Sequence, residues 1–287
     1  MTDDPFVTHR GLLFTVAYEM LGSAVDAEDV LQETWLRWAD VDQAEVRDPR
    51  AYLVRIVTRQ ALNRLRTVSR QREDYVGEWL PEPLLTSPDV AEDAEFAENV
   101  SIAMLTVLET LGPAERAVFV LHEVFETPYD EIAEVVGKTP AAVRQIGHRA
   151  REHVAARRPR MQVDRAEQEA TLQKFMAAVT SGDVQGLVEV LAPAVVLIAD
   201  GGGLVPAARK PLIGAGRVVA FLARVVDLSD LVSTTAWLNG MPGALFNVAG
   251  DDTAVSLVIE NDLITRIYAI RNPNKLGWLG QVTELQR

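Results

Sequence analysis

The stretch GKTPAAVRQIGHRAREHVAARR, Gly137–Arg158, decides how this chain reads. It holds one Lys, five Arg and two His against a single acid, Glu152. Thr139 stands where a helix cap belongs, and Pro140 takes the first helical position, where a missing N–H costs nothing. Val143, Ile146, Gly147, Ala150 and Val154 fall on one stripe and should pack inward. Arg144, Gln145, His148, Arg149 and Arg151 are left facing out. Immediately upstream, TPYDEIAEVVG reads as a short helix stopped by Gly137. Short helix, glycine turn and capped second helix together form a helix-turn-helix signature. Arg can contact guanine bidentately and Gln can contact adenine the same way. Arg157 and Arg158 lie past the expected groove contact and suit phosphate.

The charge around this stretch is local. Over its 287 residues the chain carries a net charge of -13. Yet Pro49–Arg72 holds seven Arg and no acid, and 137–160 holds seven bases and one acid. The remainder carries 14 bases against 40 acids, so two compact basic patches sit in an acidic body. That pattern predicts a polyanion partner, nucleic acid first. With no cysteine, the sequence excludes disulfides, thiol nucleophiles and Cys-ligated zinc, and fits a reducing cytoplasm. MTDDPFVTHRG lacks the basic and apolar regions of a signal peptide, and no apolar run reaches the roughly 18 residues of a membrane span. No membrane partner and no cofactor are expected.

Working outward, the first segment, 1–75, reads as helical. HRGLLFTVAYEMLGS has apolar residues at helical spacing and DAEDVLQETWLRWAD follows it, with Asp26 as the expected cap. Pro49 opens a third helix with two faces. Leu53, Ile56, Val57, Ala61, Leu65 and Val68 form its buried stripe, while Arg55, Arg59, Asn63, Arg66 and Arg70 line the other side as an outward ridge. Residues 76–95 are an acidic, Pro-rich linker, but WLPEPLL inside it is apolar, and a free tether would not need Trp79, Leu80, Leu84 and Leu85. It is read as docked. Residues 96–160 form the helix-turn-helix segment. From 161 to 287, helices give way to a meander of strands, TTAWLNG, GALFNVAG, AVSLVIEN and LITRIYAI, which makes an α+β domain.

DAEDVLQETWLRW, DPRAYLVRIVTRQALNRLR, an acidic linker, then LGPAERAVFVLHEVFETPYDEIAEVVGKTPAAVRQIGHRARE resemble, in order, bacterial extracytoplasmic-function sigma factors. The resemblance spans about residues 6 to 158. WLPEPL, DGGG (Asp200–Gly203) and NPNKL (Asn272–Leu276) are similar to the subgroup, of the mycobacterial SigJ type, with a fused SnoaL-like (NTF2-like) cone domain. Two positions depart from it: Leu204 where the subgroup commonly has Lys, and Asn274 where it commonly has an acid. The resemblance implies two all-α sigma domains, with core RNA polymerase and promoter DNA as partners. It implies that Asp26, Glu28, Asp29, Gln32 and Glu33 face the polymerase clamp helices. Arg55, Arg59, Asn63 and Arg66 would read and melt the minus-ten element, and the second basic helix would read the minus-thirty-five element. Because the apolar residues of the linker need a partner, control in cis by the third domain is expected as well. Trp79, Leu80 and Pro81 of the linker would then meet Asp200, Gly201, Gly202, Gly203, Asn272, Pro273 and Lys275. The glycine turn and the NPNKL tail are expected to be exposed, with Lys275 a lone cation.

The SnoaL-like fold raises an alternative, a DNA-binding fusion whose third domain is a carboxylate-dependent isomerase or cyclase, or a sensor with a small-molecule ligand. Asp200, Asp252, Glu260 and Asp262 are its candidate bases. All four histidines lie at or before His153, so the domain has no imidazole base. No catalytic residue is assigned. Asp200 sits at a strand end before three glycines, and turn chemistry alone accounts for that.

Overall fold

A computed structural model describes residues 4–72, 74–158, 165–225, 231–248 and 250–287. In chain order the helices are α1 (Pro5–Thr8), α2 (Arg10–Leu21), α3 (Ala24–Ala39), α4 (Pro49–Arg72), α5 (Ala94–Val100), α6 (Ile102–Leu108), α7 (Pro113–Phe119), α8 (Tyr129–Val136), α9 (Pro140–Ala155), α10 (Arg165–Ser181), α11 (Val184–Val190) and α12 (Ala215–Val225). The strands are β1 (Leu191–Asp200), β2 (Leu212–Ile213), β3 (Val232–Leu238), β4 (Met241–Val248), β5 (Asp251–Glu260) and β6 (Leu263–Ile270). The expected boundary at 160/161 lies outside the described residues.

These elements pack as two units. The helical unit takes residues up to 74, 105–158 and 284–287. In it α2, α3 and α4 pack on one another, and ten of the twelve residues of α2 are buried, so it runs through the core instead of along its edge. Ser23 caps α3, its hydroxyl accepting from the Asp26 N–H at 3.1 Å; the cap is therefore Ser23 and not Asp26, because a serine with extended backbone stands just ahead of the first turn. PAERAVFVLHEVF does not run as one regular helix. After α7 the chain widens to a π-helical turn over Val120–Val124. Gly137, at φ +69°, ends α8 in the left-handed region, and the Thr139 hydroxyl caps α9 by accepting from the Ala142 N–H at 3.3 Å. The last residues return to α2, where the Gln286 N–H donates to the Thr15 hydroxyl at 3.0 Å.

The second unit holds Tyr75–Met104 and 165–283. Its sheet runs β2-β1-β6-β5-β4-β3, with β1 and β6 parallel and the other neighbours antiparallel. One face packs on α10, α11 and α12 through Leu172, Phe175, Val190, Leu197, Leu257 and Ile267. The opposite face is apolar too, through Leu238, Ala254, Val258, Tyr268 and Ile270, and it is covered by Leu80, Ile102 and Ala103. β5 is buried on both sides without a break from Thr253 to Ile259, mostly apolar but with Thr253 and Ser256 among the buried residues. The linker therefore carries its apolar residues as the second layer of this sheet. α5 and the start of α6, expected within the helix-turn-helix segment, belong to this unit.

Candidate nucleic-acid interface and linker site

In α9 the expected stripe is the buried one: Val143, Ile146, Gly147, Ala150 and Val154 all lie inside. A Cβ at Gly147 would stand 3.0 Å from the Tyr129 ring, so α8 and α9 approach closely there. Arg144, Gln145, His148, Arg149 and Arg151 are exposed. Three of them meet acids at long range: Arg144 to Asp130 at 3.4 Å, Arg151 to Glu123 at 3.5 Å, and His148 to Glu152 at 3.6 Å. Exposed pairs of this kind are worth about 0–1 kcal/mol, so they yield readily to phosphate.

The ridge of α4 divides. Arg59, Asn63 and Arg66 are exposed, and the Arg66 Nη1 donates to the Asn63 Oδ1 at 3.4 Å. Arg55 and Arg59 both meet Glu134 of α8: Arg55 approaches its carboxylate at 3.8 Å, and Arg59 Nη2 donates to its main-chain oxygen at 3.0 Å. The side chain of Arg70 lies outside the described residues. Of the acidic face on α3, Asp26 and Asp29 accept from Arg64 at 2.8 and 2.6 Å, Glu28 pairs with Arg10, and Glu33 accepts from Gln60 at 2.7 Å. Gln32 is exposed, as is Trp35, whereas Trp38 is fully buried and its Nε1 donates to Asp4 at 3.0 Å.

In the sheet unit, the linker, the glycine turn and the tail motif converge on one carboxylate. Asp200, at the end of β1, is completely buried. Its Oδ1 accepts from the Tyr75 hydroxyl at 2.6 Å and the Gly202 N–H at 3.0 Å. Its Oδ2 accepts from the Leu80 N–H at 2.9 Å and Lys275 Nζ at 2.7 Å. Lys275 Nζ also donates to the Leu80 carbonyl at 2.6 Å and lies 4.0 Å from the centre of the Trp79 ring. The ion pair thus holds both polar groups of one linker residue. Asn272 Nδ2 donates to the Tyr75 oxygen at 2.7 Å, and burial pushes the Tyr75 phenol up, so it stays neutral and donates. Gly201 has no room for a Cβ, which would stand 2.4 Å from the Val205 carbonyl, and Gly202 has φ +59°. Pro81 is buried beside Leu80, and Pro273 is exposed in the 3-10 turn that presents Lys275.

Two expectations are corrected here. Gly201, Asn272 and Lys275 are buried instead of exposed, and Lys275 is a paired cation instead of a lone one, its partner being the buried Asp200. The sequence reading also missed Tyr75 and Asn239. Asn239, at φ +53° in the β3–β4 turn, accepts from the Leu84 N–H at 2.9 Å and donates to the Val100 carbonyl at 3.0 Å. The Asn-Gly pair between two strands signals a tight turn, but not that its side chain faces the linker. Leu204 and Asn274 are exposed, and the Asn274 N–H donates to the Asn272 Oδ1 at 3.0 Å.

The sheet unit also holds an apolar cavity of about 80 Å³ between the sheet and its helices, lined by Phe175, Val179, Phe221, Phe246 and Ile267 among others, with Arg271 and Thr253 as its polar lining. None of Asp200, Asp252, Glu260 and Asp262 lines it. β1 alternates, so Ala199 faces the cavity and Asp200 the linker.

Residues 6–71 match the family model Sigma-70 region 2, and residues 101–154 match Sigma-70, region 4. The chain is 34% identical to the ECF RNA polymerase sigma factor SigJ of Mycobacterium tuberculosis, over 94% of this chain and 91% of that protein. It is 32% identical to the probable ECF RNA polymerase sigma factor SigI of the same organism, over 93% and 92%. The crystal structure of M. tuberculosis SigJ superposes with a TM-score of 0.77, covering 94% of this chain and 96% of that one. Two outward basic helices, each inside its matching region, and likeness across nearly the whole length place this chain in the ECF RNA polymerase sigma factor family, whose members direct RNA polymerase to promoters.

Proposed function

We propose that this sigma factor is controlled from within its own chain, by the grip of the sheet domain on the linker between its two promoter-reading regions. The observation that carries the reading is the Asp200–Lys275 pair holding the Leu80 N–H and carbonyl at once. A linker fixed at Leu80, Leu84 and Thr86 fixes how much free chain separates α4 from α9. That length matters because the two promoter elements lie a set distance apart on a stiff duplex. In this reading Arg55, Arg59, Asn63 and Arg66 engage the minus-ten strand, and Arg144, Gln145, His148, Arg149 and Arg151 the minus-thirty-five groove. Asp26, Glu28, Asp29, Gln32 and Glu33 dock on polymerase in the cytoplasm. Among the described residues no helix is long and apolar enough to cross a membrane.

The enzymatic alternative gains no support from the site. All four hydrogen bonds to Asp200 are structural, and among the described residues no carboxylate lines the cavity. The test is run-off transcription with core polymerase and a promoter library. Deleting everything after Arg271, which removes Asn272 and Lys275, should change promoter output. Deleting the whole sheet domain should cost activity as well as control. Unchanged output in both would make the domain a passenger.

A further inference from the structure

The sheet unit carries a basic face that none of the readings above uses. No acid stands between Asp200 and Asp227, whereas four bases do: Arg209, Lys210, Arg217 and Arg224. The rest of that unit holds six bases against 19 acids. Arg209 and Lys210 lie just ahead of β2, and Arg217 and Arg224 lie on α12, which follows it. All four are exposed, and among the described residues none of them forms an ion pair. α12 is held from its other side: Val218 and Val219 are buried, and the helix packs on β1. Its outward stripe is Gly216, Arg217, Ala220, Ala223 and Arg224, at steps that share one helix face. The two arginines stand ~10 Å apart along the axis, with only glycine and alanine around them on the stripe.

A solvated helix commonly mixes both signs, as α10 does where Arg165 pairs with Glu169 at 3.1 Å. The one acid of α11, which packs beside α12, is Glu189, and Gln185 donates to it at 3.2 Å. Unopposed like charge is therefore kept on a fixed face of an otherwise acidic unit, a cost that a bound polyanion relieves. Small side chains between the cations let a broad, stiff surface come close. Duplex DNA fits: it presents about one phosphate charge per 1.7 Å of axis, so ~10 Å of it offers about six. A membrane would be held by large apolar residues on the same stripe, and α12 has none there; Ile213 of β2 is exposed but lies off the helix. We infer that Arg209, Lys210, Arg217 and Arg224 form a third DNA-contacting surface, one that takes the backbone phosphates of duplex DNA beside the promoter elements. Its contribution is affinity without sequence preference. The inference rests on membership of the sigma factor family and not on the grip at Leu80.

The test uses full-length chain bound to core polymerase, with anisotropy of a labelled promoter duplex and of a scrambled duplex read over a range of salt. Arg217→Gln with Arg224→Gln removes two phosphate contacts. The slope of log affinity against log salt should become shallower by about 1.8 on both duplexes, which is roughly a sixtyfold loss at 0.1 M salt for purely electrostatic contacts. Ala220→Lys, at an exposed position between the two arginines, should steepen the slope by about 0.9. Neither variant should alter affinity for core polymerase, nor amide exchange at Leu80, which reports the linker grip separately. Unchanged slopes in both variants would overturn the DNA contact. A loss confined to the promoter sequence would overturn it too, by making the arginines base readers. Weaker core binding with unaltered slopes would assign the face to polymerase instead. Loss of binding to phosphatidylserine vesicles in the double variant, again with unaltered slopes, would assign it to a membrane.

Discussion

Replacing Asp200 by Asn changes one oxygen to an amide and removes one charge. Asp200 accepts four hydrogen bonds at full burial, so the substitution cannot be absorbed by water. Whichever way the new amide points, one side presents a donor to donors: Tyr75 and Gly202 on one, Leu80 and Lys275 on the other. The Lys275 ammonium keeps its place over Trp79 but loses its counter-ion. Breaking a buried pair from one side costs about 3–5 kcal/mol, which is roughly two to three and a half powers of ten in the local equilibrium. The sheet cores do not depend on this carboxylate, so the cost falls on the linker, which should leave the sheet around Leu80. Amide hydrogen exchange of Leu80 and Leu84, read by mass spectrometry on the full chain, should accelerate by at least a hundredfold, with Trp79 emission moving to the red. Strands β4 and β5 should keep their protection. Wild-type exchange at Leu80 in Asp200→Asn would refute the claim that the ion pair holds the linker. Loss of protection throughout the sheet would refute its local character.

Arg149→Ala should cost about 1–3 kcal/mol of promoter affinity and relax preference at one base pair; a uniform loss with a shallower salt slope would make Arg149 a phosphate contact. Reversing Asp29 and Glu33 together should weaken binding to core polymerase at least tenfold in a pull-down titration, while thermal stability changes by no more than about 1 kcal/mol, since both carboxylates are partly open to solvent. Glu19 is pushed up to about 8 by burial, against a smaller opposing pull from Arg116. The folded state therefore keeps a proton that the unfolded chain releases above about 4.5. Stability should fall as pH rises from about 4.5 to 8, with a slope approaching 1.4 kcal/mol per unit, and level off beyond. Glu19→Gln should flatten that part of the urea-unfolding profile; an unaltered profile would remove Glu19 as its source.

The inward stripe of α9 was legible because a capped helix of 16 residues gives its period room to show, and its burial follows residue by residue. The docked linker was legible for a different reason: four apolar side chains in an acidic, Pro-rich tract need cover. What they cover was harder to read. The signal lay in β5, where apolar residues stand at neighbouring positions, Ala254-Val255 and Leu257-Val258-Ile259, which means two buried faces, and alternation arguments pass over such a stretch. The pairing of Asp200 with Lys275 spans 75 positions, and no spacing rule reaches that far. Lys275 thus read as a lone exposed cation, since its acid comes from a strand end and its cover from the linker. Tyr75 gave no signal, standing alone where one segment passes into the next. The widening of the chain at Val120–Val124 was also silent, because helical periodicity is nearly the same on either side of it.

The two jaws that hold Leu80 have a consequence for biosynthesis. A ribosome emits Leu80 long before it emits Asp200, and Lys275 follows a further 75 positions on. At usual elongation rates the interval between completing α9 and completing the grip is on the order of ten seconds. Throughout that interval the nascent protein has both basic helices and an uncommitted tether. Translation speed, and any pause before the codon for Lys275, thereby sets how long each new molecule exists in its ungripped form.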